Sequence, residues 1–201
     1  MTVIAITQRV DYVSGRGERR DSLDQRWTTL LSVAGFCPCA MPNDAQSAVA
    51  LFGLVRPRGL LLTGGNSLVE YGGDAPGRDA CEYRLLALAN RAGVPVLGVC
   101  RGMQLLLIDS GASLVAVANH VRHRQLVVFD EGTRVVNSYH DWGCYDVPEQ
   151  WHILGRSRDG VVKAIRHRTR PAIGIMWHPE RIDPFAPDDI GLLQRHFGMP
   201  S

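Results

Sequence analysis

Apolar residues run along this chain in short stretches, each cut off by glycine or polar residues. Val3 to Thr7 reads as a buried strand, followed by Gln8 and Arg9. Asp11 to Arg20 is polar and glycine-rich, which predicts a surface loop. Asp21-Ser22 is the expected cap of a helix with Leu23, Trp27, Leu30 and Leu31 on its apolar face, and Gly35 ends it. Phe36 to Met41 predicts a short strand, Ala45 to Val55 a helix, and Gly59 to Thr63 a strand broken by Gly64-Gly65-Asn66. Tyr71 to Gly77 is expected to be loop, and Asp79 to Ala92 a helix closed by Gly93. An apolar run from Val94 then ends at Gly98, and an apolar helix-like segment runs from Met103 to Ile108. Strand and helix alternating in this way predict a parallel sheet wrapped on both faces.

The second half has a different rhythm. Leu114 to Ala118, Leu126 to Phe129, Thr133 to Ser138, His152 to Ser157, Val161 to His167 and Ala172 to Met176 are short and separated by turns. They predict added β-structure, partly antiparallel, before a last helix from Asp188 to Phe197. No linker or repeat interrupts the pattern, so residues 1–201 are expected to form one domain.

The junction at residue 100 carries the chemistry. Gly98-Val99-Cys100-Arg101-Gly102 stands between strand and helix and has the form of a nucleophile elbow with cysteine in place of serine. On such a turn the neighbours crowd the backbone, so glycine is needed on both sides. The turn lifts the sulfur to the carboxyl end of a strand and aims the first helix N–H groups at it, where they favour negative charge. Read alone, Cys100 could equally be a small core residue between two packing glycines. Near the other end, Ala172 to Met176 delivers Trp177-His178-Pro179-Glu180. A thiol nucleophile needs a base, and that base needs an acid to hold its ring; His178 and Glu180 are the right types in the right order.

With those two motifs the chain resembles the class I glutamine amidotransferases, whose pattern is G-x-C-x-G-x-Q followed at a distance by H-P-E. Here these are Gly98 to Gln104 and His178-Pro179-Glu180. Cys100 to Gln104, Val136 to His140 and Met176 to Glu180 are similar to the stand-alone γ-glutamyl hydrolases of that group. Ile6 to Arg9, Leu23 to Trp27, Thr63 to Asn66, Arg78-Asp79, and Trp177 to Arg181 with Pro184-Phe185 look like the γ-glutamyl-CDP-amidate hydrolases of capsule phosphoramidate synthesis.

The resemblance implies a three-layer, doubly wound, mostly parallel α/β sheet of flavodoxin-like type, with the antiparallel portion in the second half. It implies a Cys100–His178–Glu180 triad and an oxyanion hole from the N–H groups of Gly65 and Arg101. Gln104, Asn66, Asn137, Ser138, His140 and Arg9 are the expected substrate contacts. His140 is placed there and not as the base, because it lacks a paired glutamate. The implied reaction is hydrolysis of a γ-glutamyl amide through a thioester on Cys100, with no metal or organic cofactor. Alternatives are a glutaminase subunit passing ammonia to a separate synthase, a γ-glutamyl peptide or polyamine hydrolase, and a non-catalytic binding module.

Composition narrows the rest. A net charge of +2 with His neutral is too small to imply a nucleic-acid partner. No apolar run approaches the ~20 residues of a membrane span. The first residues lack a basic leader and a cleavage site, so no signal peptide is expected. Five scattered cysteines with a thiol in use suit a reducing cytoplasm. Cys37-Pro38-Cys39 has no second Cys/His pair at finger spacing and reads as a small-residue strand. His120, Arg122, His123 and Arg124 form one basic cluster, which follows directly on a loop after the elbow helix, where it could meet an anionic leaving group. Lys163, Arg166, His167, Arg168 and Arg170 form another, expected to be a solvated face. A homo-oligomer or a synthase partner stays open.

Overall fold

The computed structural model describes residues 2–198. In chain order the strands and helices are β1 (Thr2–Ile6), β2 (Arg9–Val13), β3 (Glu18–Ser22), α1 (Gln25–Val33), β4 (Phe36–Ala40), α2 (Ala45–Val55) and β5 (Gly59–Leu62). There follow α3 (Pro76–Ala92), β6 (Val96–Val99), α4 (Arg101–Asp109), β7 (Val115–Ala116), β8 (Val121–Phe129), β9 (Gly132–Tyr139) and β10 (Trp142–Gly143). The last are β11 (Trp151–Ser157), β12 (Val162–His167), β13 (Ala172–Ile175) and α5 (Pro187–Phe197).

Nine strands form the main sheet in the order β4-β1-β5-β6-β13-β12-β11-β8-β9. From β4 to β13 neighbouring strands are parallel. From β13 onward every pairing is antiparallel. β5 and β6 are buried at every position, as expected of strands covered on both faces. Their side chains alternate between two cores. Leu60 and Leu62 pack with Phe52 of α2, Leu85 of α3 and Met103 of α4. Leu61 packs on the other face with Trp27 and Leu30 of α1 and Phe197 of α5. The result is the predicted three-layer α/β arrangement, with an antiparallel extension in the second half.

Several boundaries differ from those expected. Asp11 to Arg20 is not a loop: β2 and β3 pair antiparallel from Arg9↔Ser22 to Val13↔Glu18. Asp21-Ser22 therefore lies in a strand. The side chain that caps α1 is Asp24, which accepts from Arg26 N. Within Tyr71 to Gly77, α3 already starts at Pro76, whose missing N–H costs nothing in a first helical turn. The strand expected from Leu126 to Phe129 begins earlier, at Val121, and takes in Arg122, His123 and Arg124 of the basic cluster. Of Leu114 to Ala118, only Val115–Ala116 pairs, and it pairs with β10 outside the main sheet. No helix among the described residues is long and apolar enough to cross a membrane.

Candidate active site

Three adjacent parallel strands bring the site together. β6 lies between β5 and β13, with Gly98 level with Leu62 on one side and Gly174 on the other. The chain leaves all three strands at the same sheet edge, so Gly64-Gly65, Cys100 and His178 emerge side by side. Ligands in open α/β sheets bind at such carboxyl ends.

Cys100 has φ 53° and ψ −106°, a conformation that side-chain-bearing residues rarely adopt. The close packing around it requires the flanking glycines: a Cβ on Gly98 would lie 2.6 Å from the Gly102 carbonyl, and one on Gly102 would collide with the Leu62 carbonyl. Cys100 is the N-cap of α4 and makes no side-chain cap bond. The first intrahelical bond is Gln104 N–H to Cys100 C=O, at 3.1 Å. The earlier N–H groups, starting with Arg101, are therefore free of intrahelical partners at the sulfur's end of the helix. Cys100 Sγ is 3.8 Å from the Tyr139 carbonyl oxygen and largely buried.

His178 lies just beyond β13. Its Nδ1–H donates to Glu180 Oε1 at 2.7 Å, with both side chains almost fully buried. The Nε2 atom has no hydrogen-bond partner among the described residues. Burial opposes charge on the ring, but the Cys100 side chain beside it, and then Glu180, outweigh it and lift the imidazole to about 9. Gly64 is pressed against this pair: a Cβ there would stand 2.5 Å from His178 Cε1 and 3.4 Å from Cys100 Cβ. The Glu180 turn is held from α1, where Arg26 Nε donates to the Glu180 carbonyl at 2.5 Å and Nη2 to that of Ile182 at 2.6 Å. A thiol, a ring and a carboxylate in this order can carry out nucleophilic acyl transfer with proton shuttling.

The other expected contacts divide into two groups. Some side chains are already engaged. The Asn137 side chain exchanges two hydrogen bonds with the backbone of His178, so it holds the histidine and is not free for substrate. Asn66 is likewise spent, exchanging two bonds with the backbone of Val10. Ser138 and His140 both accept from Lys163 Nζ, at 3.0 and 2.5 Å. His140 Nδ1–H donates to the Trp142 carbonyl. Burial, then the neighbouring Lys163, pushes this ring down to about 3, so it stays neutral. Gln104 Nε2 donates to the same Trp142 carbonyl at 2.8 Å, which ties α4 to this group.

Others face the cleft. Arg9 is exposed, pairs with Asp11 at 2.6 Å, and lies against Gly65. Arg181 places its guanidinium 5.0 Å from the Tyr139 ring centroid. Together with Gly64, Gly65, His178 and Glu180, these two arginines line a cavity of about 30 Å³.

Sequence reasoning missed three residues here. Lys163 belongs to a cluster expected to face solvent, yet it is 1% exposed and forms no ion pair among the described residues. Burial pulls its ammonium down to about 7, an effect that Asp159 and Cys100 partly offset. Arg78 and Glu82 are fully buried on α3. Their signal was present in the sequence: an Arg and a Glu at i and i+4 on a helix that otherwise buries apolar groups.

The chain can now be set beside known proteins. The profile of the family "Glutamine amidotransferase class-I" matches residues 26–189. A γ-glutamyl-CDP-amidate hydrolase of Campylobacter jejuni is 26% identical over 89% of this chain and 90% of its own. A γ-glutamyl-γ-aminobutyrate hydrolase of Escherichia coli is 27% identical, with 82% and 81% covered. Among solved structures, a glutamine amidotransferase of Thermotoga maritima superposes with a TM-score of 0.70 at 15% identity, covering 96% of this chain and 83% of that one. A Thermoplasma acidophilum protein provisionally assigned to GMP synthase reaches 0.74 at 20% identity, covering 99% and 94%. The match spans the elbow, the histidine and the glutamate, and the chain belongs to the class-I glutamine amidotransferase family of amide-hydrolysing enzymes.

Proposed function

We propose that this enzyme hydrolyses a γ-glutamyl amide through a thioester on Cys100, and that its substrate is a γ-glutamyl nucleotide conjugate of the CDP-amidate type. The observation that carries the mechanism is the strained Cys100 at the head of α4, facing a histidine whose far nitrogen is held by Glu180. His178 takes the Cys100 thiol proton, the sulfur attacks the γ-carbonyl carbon, and the N–H groups of Gly65 and Arg101 take the oxyanion. The C–N bond breaks as protonated His178 gives its proton to the departing nitrogen. His178 then takes a proton from water, whose oxygen attacks the thioester. The C–S bond breaks, His178 returns its proton to the sulfur, and glutamate leaves with the Cys100 thiol restored.

Two observations support the nucleotide conjugate. The Campylobacter relative with that activity aligns over nearly its whole length. Arg9 and Arg181 stand beside the triad, where a pocket for glutamine alone needs little positive charge beyond its α-carboxylate. Arg122 and Arg124, the other arginines expected near the leaving group, are exposed on β8 and line no part of that cavity. A charge-assisted contact to phosphate contributes roughly 1.5–3 kcal/mol. Two contacts expressed in the transition state favour the conjugate by roughly 10²–10⁴-fold in kcat/KM. Comparing kcat/KM for glutamine, γ-glutamyl-γ-aminobutyrate and a γ-glutamyl nucleotide amidate tests this. The expected preference is for the nucleotide, weakening with added salt. Preference for the aminobutyrate would favour the reading supported by the Escherichia coli relative. Equal values would leave a general γ-glutamyl hydrolase.

A further inference from the structure

Beneath the loop that follows β5 lies a buried ionic cluster to which the mechanism above gives no role. Arg78, fully buried on α3, directs its guanidinium into residues 63–66. Nη2 donates to the carbonyls of Thr63 and Gly64, each at 2.9 Å. Nη1 donates to the carbonyl of Gly65 and, at 3.1 Å, to Asn66 Oδ1. Nε is paired with Glu82 Oε1 at 2.9 Å. The other oxygen of Glu82 pairs with the Arg101 guanidinium, which also reaches Asp79. Burial opposes charge on Glu82, yet Arg101 and Arg78 hold its carboxyl below the usual range.

A peptide unit is planar and trans, so its N–H points opposite to its C=O. When Arg78 draws in the Gly64 carbonyl, it turns the Gly65 N–H the other way. This loop lies against the triad, since a Cβ at Gly64 would meet Cys100 and His178. Arg101 is the residue whose N–H opens α4. Glu82 thus bridges a side chain that sets the Gly65 peptide and the side chain of Arg101 itself. A guanidinium is suited to this because its donors lie in one rigid plane, whereas a lysine has a single point of charge.

We propose that Arg78 and Glu82 are positioning residues that lock the two oxyanion-hole donors, Gly65 N–H and Arg101 N–H, in register with each other. The proposal rests on the acyl-transfer reading of the site. It separates two reactions of the same thiol. Acyl transfer builds charge on a carbonyl oxygen, whereas alkylation by iodoacetamide displaces iodide at a saturated carbon and forms no oxyanion. In Arg78→Lys and Glu82→Gln, kcat for glutamate release should fall about 10²–10³-fold, as when one oxyanion donor is lost, with KM nearly unchanged. Alkylation of Cys100 should keep its wild-type rate within about twofold, and p-nitrophenyl acetate hydrolysis should fall along with kcat.

Unchanged kcat in the folded variants would overturn the proposal. So would alkylation falling in parallel with kcat, or loss of the folded state in both variants, because the cluster would then serve the fold alone. A wild-type enzyme that cleaves the ester but no γ-glutamyl amide would sink the substrate reading. In that case a selective loss of ester hydrolysis in Arg78→Lys would still support the positioning role.

Discussion

Cys100→Ala is expected to abolish glutamate release while leaving the protein folded. Removing the nucleophile of an acyl-transfer triad typically costs about 10⁴-fold or more in rate. The fold should tolerate the change because it removes a single sulfur atom. Cys100 donates no cap bond to α4, and among the described residues its side chain makes one contact of hydrogen-bonding type, the long one to the Tyr139 carbonyl. Alanine keeps the Cβ that already sits at φ 53°, so no new backbone strain is added. Steady-state glutamate release and the thermal unfolding midpoint, measured side by side, check both halves. Near-full activity in the variant would remove the mechanism.

Glu180→Gln should have the next largest effect. The substitution keeps the shape of a side chain that is 2% exposed. It removes the negative charge 2.7 Å from His178 Nδ1. That charge helps hold the ring near 9, so the imidazolium proposed above as the acid for the leaving nitrogen is well populated at neutral pH. Without it the folded-state pKa of His178 falls. The acid form is then lost at lower pH, and the alkaline limb of kcat moves downward. An amide in this position also fails to enforce the Nδ1–H tautomer. A loss of roughly 10²–10⁴-fold in kcat with a modest change in KM is expected. A large rise in KM with kcat preserved would make Glu180 a substrate ligand instead.

The parallel half of the fold was legible because its strands are continuous apolar runs and its turns are marked by glycine. The elbow was readable for a related reason: only Gly-x-Cys-x-Gly suits a turn in which Gly98 and Gly102 touch neighbouring backbone. The β2–β3 ribbon was not legible. β3 (Glu-Arg-Arg-Asp-Ser) carries no apolar residue, so the short alternation of Val10 and Tyr12 in β2 has no apolar partner strand, and Gly15 and Gly17 made the stretch look like loop. The helix cap was misplaced because Asp21, Ser22 and Asp24 are all good capping types, and the geometry selects Asp24.

Lys163 was misread for a deeper reason. It opens a run of basic residues, most of which are exposed, and its burial depends on Ser138 and His140, contributed by β9 and the corner after it. Asn66 and Asn137 were expected as substrate contacts, but nothing local to either could show that its side chain would bond to a distant backbone. Polar residues near a site split into those that touch substrate and those that hold the rest in place. The sequence locates both kinds without separating them.

The most direct test of the central claim is mass spectrometry of enzyme quenched during turnover of a γ-glutamyl amide. The account predicts a γ-glutamyl group on the peptide containing Cys100, present during turnover and absent from Cys100→Ala. Glu180→Gln should carry the group for longer wherever hydrolysis of the thioester becomes the slow step. Turnover with no adduct, or with the adduct on another residue, would contradict the account.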